Sequence, residues 1–325
     1  VLVTGGAGYI GSHVVRLLRE RGDDVVIVDD LVTGEESRAT GVPLFRMDLA
    51  LSSSPEALER IAKDFEVRSV IHFAARKQVG ESVERPAWYY QQNVGSLSNL
   101  LLAMERSQVS ELVFSSSAAV YGLSEGAALR EDAPTSPISP YGETKLIGEW
   151  LLAAAARSTG LRGASLRYFN VAGAGWPELG DTAVLNLVPM VFERIDQGLS
   201  PLIFGEDYPT PDGTCIRDYI HVLDLAEAHL AALDSLSVGD ARHNVYNVGT
   251  GTGSSVREMV DSILSVSGAD VIPEVRQRRP GDPAVVVADV RAISDDLKWV
   301  AKRGLLDIVT SAWESHVLLK RSMSL

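Results

Sequence analysis

The chain has 325 residues, 30 basic against 43 acidic, a formal charge of −13, 46% hydrophobic residues and one cysteine. At about 100–200 residues per domain this makes one large domain or two fused ones, with core enough to need no metal or disulfide staple. The acidic excess argues against a nucleic-acid binder, no run approaches the ~20 apolar residues of a membrane span, and lone Cys215 favours a reducing, cytoplasmic setting.

The chain opens in mid-strand at Val1 without a Met, so a residue or two is expected to be missing from the front. After that strand come Thr4-Gly5-Gly6-Ala7-Gly8-Tyr9-Ile10-Gly11, then Ile10, Val14, Leu17 and Leu18 at helical spacing, with Gly22 as a stop. Glycines between a strand and a helix allow a tight turn, close approach of backbone N–H groups to a pyrophosphate, and close helix–strand packing. Residues 25–28 read as the next strand, and Asp29 ends it, 18 residues after Gly11. A carboxylate there accepts hydrogen bonds from the adenosine ribose and repels a 2′-phosphate, which predicts NAD rather than NADP. A solvated loop pair is the alternative for Asp29 and Asp30.

Asp48 follows the stretch 44–47 and suits an adenine amino group, or a surface loop. Residues 69–73 form a strand ending at Phe73, followed by small Ala74 and Ala75. Lys77 lies just beyond, either on a ribose hydroxyl or at the surface. Val94, Leu97, Leu101 and Met104 repeat the helical spacing, and 112–114 is a further apolar run before Ser115-Ser116-Ser117. Short β-branched runs alternating with amphipathic helices predict an α/β protein with a doubly wound parallel sheet. After about Arg167, Gly and Pro become frequent and the alternation blurs. We therefore expect an NAD-binding domain over 1–170 and a smaller α/β substrate-binding domain over 171–325. Parts of 214–248 are expected to return to the first, with a helix near 218–234.

Among nine tyrosines, Tyr141 alone has lysine four residues later, Lys145, and Ser139-Pro140 start the helix that carries both. An unperturbed tyrosine, with a pKa of about 10, is roughly 0.1% ionised at neutral pH, and a nearby ammonium favours the anion. Tyr141 thus reads as a general base. A serine hydroxyl at the end of strand 112–114 could share its proton; a loop or cap is the plainer reading of the three serines. The six histidines form no metal motif, and one cysteine builds no thiolate site.

The glycine loop, Ser115–Ser117 with Ala118-Ala119-Val120-Tyr121-Gly122, and Tyr141 with Lys145 resemble the extended short-chain dehydrogenase/reductase family. The run from Phe204-Gly205-Glu206 to Gly213-Thr214, then Arg217-Asp218-Tyr219-Ile220-His221-Val222, is more specific. It resembles the UDP-glucose (UDP-galactose) 4-epimerases within that family. Arg167-Tyr168-Phe169-Asn170, Asn186-Leu187 and Arg278-Arg279-Pro280-Gly281-Asp282 extend the likeness over essentially the whole chain.

The resemblance implies Ser117 and Tyr141 as catalytic hydroxyls, with Lys145 tuning Tyr141. It implies NAD contacts at Gly5, Gly8, Tyr9, Ile10, Gly11, Asp29, Asp48, Phe73, Lys77, Asn93 and Phe169. UDP-sugar contacts are implied at Asn170, Asn186, Leu187, Phe204, Arg217, Arg279, Asp282 and Val286. The implied reaction is reversible C4 epimerisation through a 4-keto sugar, in a homodimer paired through helices near 87–106 and 141–158. Asn93-Val94-Gly95-Ser96 departs from the frequent family wording, which bears on that helix's details. Val286 stands where relatives restricted to unsubstituted hexoses can carry tyrosine, which opens the range to UDP-N-acetylhexosamines. A nucleotide-sugar dehydratase needs an acidic pair just after the serine, where Ala118 and Ala119 stand. A non-catalytic NAD sensor would not need Ser117, Tyr141, Lys145 and the two arginines together.

Overall fold

Strands buried on both faces have no polar side to show, and the apolar runs of the first half obey that rule. The computed structural model describes residues 1–123, 128–238, 243–279 and 281–323, so Pro280 of the quoted motif lies outside it. The runs become β1 (Leu2–Thr4), β2 (Val26–Asp29), β3 (Leu44–Arg46), β4 (Ser69–His72), β5 (Glu111–Ser115) and β6 (Arg162–Tyr168). Between them lie α1 (Tyr9–Arg21), α2 (Ser54–Asp64), α3 (Val79–Glu84), α4 (Pro86–Tyr89), α5 (Ser96–Ser107) and α6 (Pro140–Thr159).

The second half supplies β7 (Asn170–Ala172), α7 (Leu187–Asp196), β8 (Leu202–Phe204), β9 (Ile216–Arg217), β10 (Tyr219–His221), α8 (Val222–Val238) and β11 (His243–Val248). β12 (Ser254–Ser255), α9 (Val256–Ser267), β13 (Glu274–Arg276), β14 (Val285–Val286), α10 (Arg291–Leu297) and α11 (Leu305–Met323) complete the described chain. The main sheet runs β11-β6-β5-β4-β1-β2-β3 with every neighbour parallel. Strand order reverses between β1 and β4, and that switch point opens a crevice at the carboxyl ends of the strands.

Alternation along each strand decides which core a side chain enters. Val3, Ile27, Ile71 and Val113 meet Val14 and Leu18 of α1 and Leu225, Ala228 and Ala232 of α8. Leu2, Val26, Val70, Leu112 and Phe114 meet Leu58 of α2, Leu97 and Leu100 of α5, and Leu152 of α6. A separate core joins α7, α9 and α11 through Val188, Phe192, Met259, Ile263, Ile308 and Val309. The helix ends follow local chemistry. Gly22 closes α1 in the left-handed region at φ 93°, while Ser139 caps α6 by accepting the Gly142 N–H at 3.2 Å.

Two elements differ from the sequence reading. The helix expected near 218–234 starts only at Val222, because 219–221 pairs with β7 as a strand. The helix expected over 87–106 contains a π turn at Tyr90–Gly95 between α4 and α5. Such one-residue insertions sit frequently at functional positions. Asn93 lies in this one.

α6 sits close against the sheet because Gly148 has no side chain: a Cβ there would fall 2.4 Å from Phe114 Cζ and 3.2 Å from Leu97 Cδ2. Gly148→Ala should therefore overpack that contact by about 1–3 kcal/mol and lower the melting temperature by roughly 5 °C. An unchanged thermal melt would mean that α6 can move aside freely.

Candidate active site

The crevice at the switch point has a cavity volume of about 340 Å³, within the range of roughly 300–1,000 Å³ typical of small-molecule sites. Its floor depends on missing side chains. A Cβ on Gly5 (φ +72°) would meet the Ala74 nitrogen at 2.7 Å, and one on Gly11 would meet the Gly5 oxygen at 2.2 Å. With hydrogen alone at these positions, the loop, the end of β4 and the N-terminus of α1 converge on one point. Gly5, Gly8, Tyr9, Ile10 and Gly11 all line the cleft there, a cradle that fits a dinucleotide pyrophosphate.

Asp29 accepts hydrogen bonds from the Ala7 N–H at 3.0 Å and the Leu31 N–H at 2.9 Å. Burial pushes its carboxyl up, and those two bonds pull it back. Asp48 accepts from the Ala50 N–H at 2.9 Å and faces the same cleft. Phe73 lines the wall with its ring 4.6 Å from that of His229, and Lys77 is exposed on the rim. Asn93 is not among the lining residues. From the π turn it accepts from the Arg76 N–H at 2.8 Å and donates to the Arg76 carbonyl and to Thr144 Oγ1, each at 3.0 Å. Asn93 thereby fixes the 74–77 wall to α6.

Ser117, Tyr141 and Lys145 line this cleft together, beside Phe169, Asn170 and Asn186. Ser117 Oγ accepts from the Ala119 N–H at 3.1 Å, and its hydroxyl stands beside Tyr141 and opposes the rise of that tyrosine's pKa. One turn further along α6, Lys145 Nζ donates to the Ser115 carbonyl at 2.7 Å and lies 5.9 Å from the Tyr141 ring centre. Burial pushes Lys145 down to about 7 and Tyr141 up, against the pull of the Ser117 hydroxyl. The expectation of a lysine that simply lowers its tyrosine therefore meets a counterforce, because the low dielectric penalises both charged forms.

The remaining residues gather on the other lobe rather than in this lining. Arg217 pairs with Asp282, Arg279 lies 4.0 Å over the Phe204 ring, and Leu187 begins α7 directly after Asn186. Val286 stands beside Arg217 in parallel register and packs on the cluster containing Tyr121, Leu146 and Phe169. The cleft is joined to that lobe by Tyr9, whose hydroxyl donates to the Gly173 carbonyl at 2.6 Å.

Sequence reasoning missed Arg76, Gln92 and Tyr168. Arg76 lines the cleft, pairs with Asp30 at 2.5 Å and donates to Gln92 at 2.9 Å. Tyr168 also faces the cleft, its hydroxyl 2.5 Å from Ser115 Oγ. Its place beside Phe169 and Asn170 was the available signal. Arg76 gave none, since its partner is 46 residues away.

Comparison with known proteins places this geometry. Residues 1–249 match the "NAD dependent epimerase/dehydratase family". The chain is 47% identical over 322 residues to a UDP-glucose 4-epimerase of Azospirillum brasilense, covering 97% of this chain and 91% of that one. It superposes on a UDP-glucose 4-epimerase of Stenotrophomonas maltophila, described with bound NAD and formylated UDP-arabinopyranose, with a TM-score of 0.92. That pair is 39% identical and covers 99% of this chain and 98% of the other. A UDP-Glc/GlcNAc 4-epimerase of Campylobacter jejuni superposes with a TM-score of 0.86 at 35% identity, covering 98% of each chain. A glycine cradle, a serine strap and a tyrosine–lysine turn in one crevice, with likeness along the whole length, make this chain a member of the NAD-dependent epimerase/dehydratase family.

Proposed function

We propose that the chain interconverts UDP-glucose and UDP-galactose by inversion at C4, with NAD as its resident cofactor. The observation that carries this reading is the convergence of Ser117, Tyr141 and Lys145 beside the glycine cradle. Tyr141 takes the O4 proton, directly or through Ser117, and returns it after the sugar has turned. Lys145 supports the phenolate and is itself held by the Ser115 carbonyl. NAD, when bound, supplies a reversible two-electron acceptor for C4. Gly5, Gly8, Ile10 and Gly11 hold it at the pyrophosphate, with Asp29, Asp48 and Lys77 along its adenosine and ribose groups.

Arg217 and Arg279 supply guanidinium groups to the substrate diphosphate, and Asp282 accepts from the uridine ribose. Asn170, Asn186, Leu187 and Phe204 complete that half. Firm binding of UDP with looser contacts to the hexose lets the flat 4-keto intermediate present either face. The dehydratase alternative lacks its acidic pair, Ala118 and Ala119 standing there. A sensor without chemistry would gain nothing from a buried lysine.

Tyr141→Phe should lose turnover of UDP-galactose by roughly 10²–10⁴-fold while UDP still binds; near wild-type turnover would remove Tyr141 from the mechanism. Lys145 carries a stability signature as well. Burial holds its folded pKa at about 7, below the ordinary lysine value of 10.5, so between these values the unfolded chain holds more protons and wild-type stability rises with pH. Lys145→Met abolishes that dependence. Melts of the ligand-free proteins should then shift in favour of wild type between pH 6 and pH 9, and a constant difference would contradict the buried ammonium.

Val286 governs substrate width in this reading. It is smaller than the tyrosine that relatives restricted to unsubstituted hexoses can carry at this position, so UDP-N-acetylglucosamine is turned over beside UDP-glucose. Val286→Tyr should selectively lower kcat/KM for the acetylated pair. Equal loss on both pairs, or no wild-type activity on the acetylated one, would end the idea.

We also read the protein as a homodimer. Trp150 on α6, Leu102 on α5 and Val83 on α3 are 60%, 42% and 62% exposed, apolar surface suited to a twofold contact. Light scattering should give twice the chain mass; a 35.0 kDa particle at micromolar concentration would exclude a stable pair.

A further inference from the structure

The three serines after β5 have three different fates. Ser115 offers its carbonyl to Lys145 and its hydroxyl to Tyr168, while Ser117 faces Tyr141. Ser116 points away from the cleft into a fully buried polar site. Its hydroxyl donates to Glu149 Oε1 at 2.5 Å. The same carboxylate receives Arg167 in a two-pronged pair, Nε to Oε1 at 2.9 Å and Nη2 to Oε2 at 2.6 Å. Ser116, Glu149 and Arg167 are 0%, 4% and 5% exposed.

The network continues outward. Arg167 Nη1 donates to the Tyr121 hydroxyl at 2.9 Å and to the Glu131 carbonyl at 3.1 Å. Tyr121 donates to Asn247 Oδ1 at 2.6 Å, and Asn247 Nδ2 donates to the Leu129 carbonyl at 2.7 Å. One connected set of bonds thus ties the end of β5 to α6, β6, β11 and the Leu129–Glu131 stretch. None of Ser116, Glu149, Arg167, Tyr121 and Asn247 is among the residues lining the cleft.

A buried ion pair of this kind is poor evidence for stability, because desolvating both charges offsets most of their attraction. Its placement is more informative. Tyr141, Lys145 and Glu149 follow one another at four-residue steps along a single face of α6. Left alone, Glu149 could turn to the ammonium one turn back. Arg167 and Ser116 occupy both of its oxygens, which leaves Lys145 to the Ser115 carbonyl and the cleft.

We propose that Ser116, Glu149 and Arg167 form a clamp that positions the serine strap, setting Ser117 against Tyr141 and the Ser115 carbonyl against Lys145. These are positioning residues, and the proposal rests on the catalytic reading given above. Among the described residues, His243 from β11 faces the Glu149–Arg167 pair, Glu131 faces Tyr121, His72 from β4 faces Lys145, and Tyr168 from β6 faces Tyr141.

The test compares Ser116→Ala, Arg167→Lys and the doubly apolar Glu149→Leu/Arg167→Met with wild type on UDP-galactose. Ser116→Ala and Arg167→Lys should lower kcat about tenfold or more, with KM within twofold and NAD and UDP bound as in wild type. Loosening the strap moves the Ser117 hydroxyl away from Tyr141 and weakens its stabilisation of the phenolate, so the limb of the kcat profile that reports the base should move to higher pH. Arg167→Lys keeps the charge and loses the fork, so its failure to restore kcat marks geometry as the requirement. The double variant should keep or raise the melting temperature without recovering kcat; should it fail to fold, the two single variants decide. Wild-type kcat and pH profile in Ser116→Ala and Arg167→Lys would overturn the clamp, as would a kcat loss that only follows the folded fraction. Tyr141→Phe, assayed alongside, separates the two levels: an active Tyr141→Phe defeats the catalytic reading, whereas an inactive one beside a fully active Ser116→Ala defeats the clamp alone.

Discussion

A buried ammonium group must find oxygen atoms, and Lys145 finds the Ser115 carbonyl at the carboxyl end of β5. That bond couples a helix to a strand end at the place where the chemistry has to happen. α6 can supply it only by lying close to the sheet, which the bare Gly148 against Phe114 permits. With α6 fixed there, Tyr141 one turn earlier faces Ser117, and the glycine loop beyond β1 opens onto the same crevice. The sheet, the helix and the strap are therefore parts of one constraint. The same burial that places the lysine weakens its charge, pushing it to about 7.

Much of this architecture was legible because it rests on periodicity and on glycine. Apolar runs gave β1, β2, β4 and β5 within a residue or two, and Gly22 marked the end of α1. Gly5 and Gly11 were readable as cradle positions since nothing larger than hydrogen fits. Tyr141 and Lys145 were readable because a helix converts a four-residue spacing into a shared face. The π turn at Tyr90–Gly95 was not, because inserting one residue into a helix leaves the hydrophobic pattern almost unchanged. Nor were contacts between distant segments. Arg76 with Asp30 and Arg167 with Glu149 are pairings of common residue types, and only the fold brings them together. The second half resisted for a further reason: β9, β12 and β14 are two residues long, too short to show any alternation.

The two halves of the site are organised by different physics. On the side of the main sheet, backbone atoms and missing side chains make the surface, so its shape is nearly fixed once α1 packs on the sheet. On the other lobe, side chains make it: Arg217 is held by Asp282, and Arg279 rests on Phe204. In the proposed function, guanidinium groups already paired or stacked are partly oriented before a diphosphate arrives. That arrangement suits a reaction in which UDP is anchored and the hexose is left free to rotate.

What remains is how the two halves keep a constant distance while the sugar turns between them. Two buried neutral histidines carry much of the joint. His13 Nδ1 donates to the Tyr9 carbonyl at 2.8 Å, which leaves the Nε2 lone pair to accept the Gly175 N–H at 3.0 Å. His221 Nδ1 accepts the Leu223 N–H at 3.0 Å, so its Nε2 carries the proton toward Ser311, whose hydroxyl also accepts from Ala174. Each ring can satisfy these partners only in its neutral form, and burial pushes both pKa values down to about 4. With the Tyr9–Gly173 bond, these contacts pin the segment 173–175 to α1 on one side and, through Ser311, to α11 and the end of β10 on the other. Beside these neutral rings Arg38, its side chain 4% exposed, supplies one charged tie: its Nη2 pairs with Glu35 at 2.9 Å and donates to the Gly180 carbonyl at 2.8 Å. A crevice of fixed width with a mobile hexose inside it is what inversion at C4 requires. The fold supplies the fixed part with neutral hydrogen bonds from Tyr9 and His13 and with one buried guanidinium, Arg38.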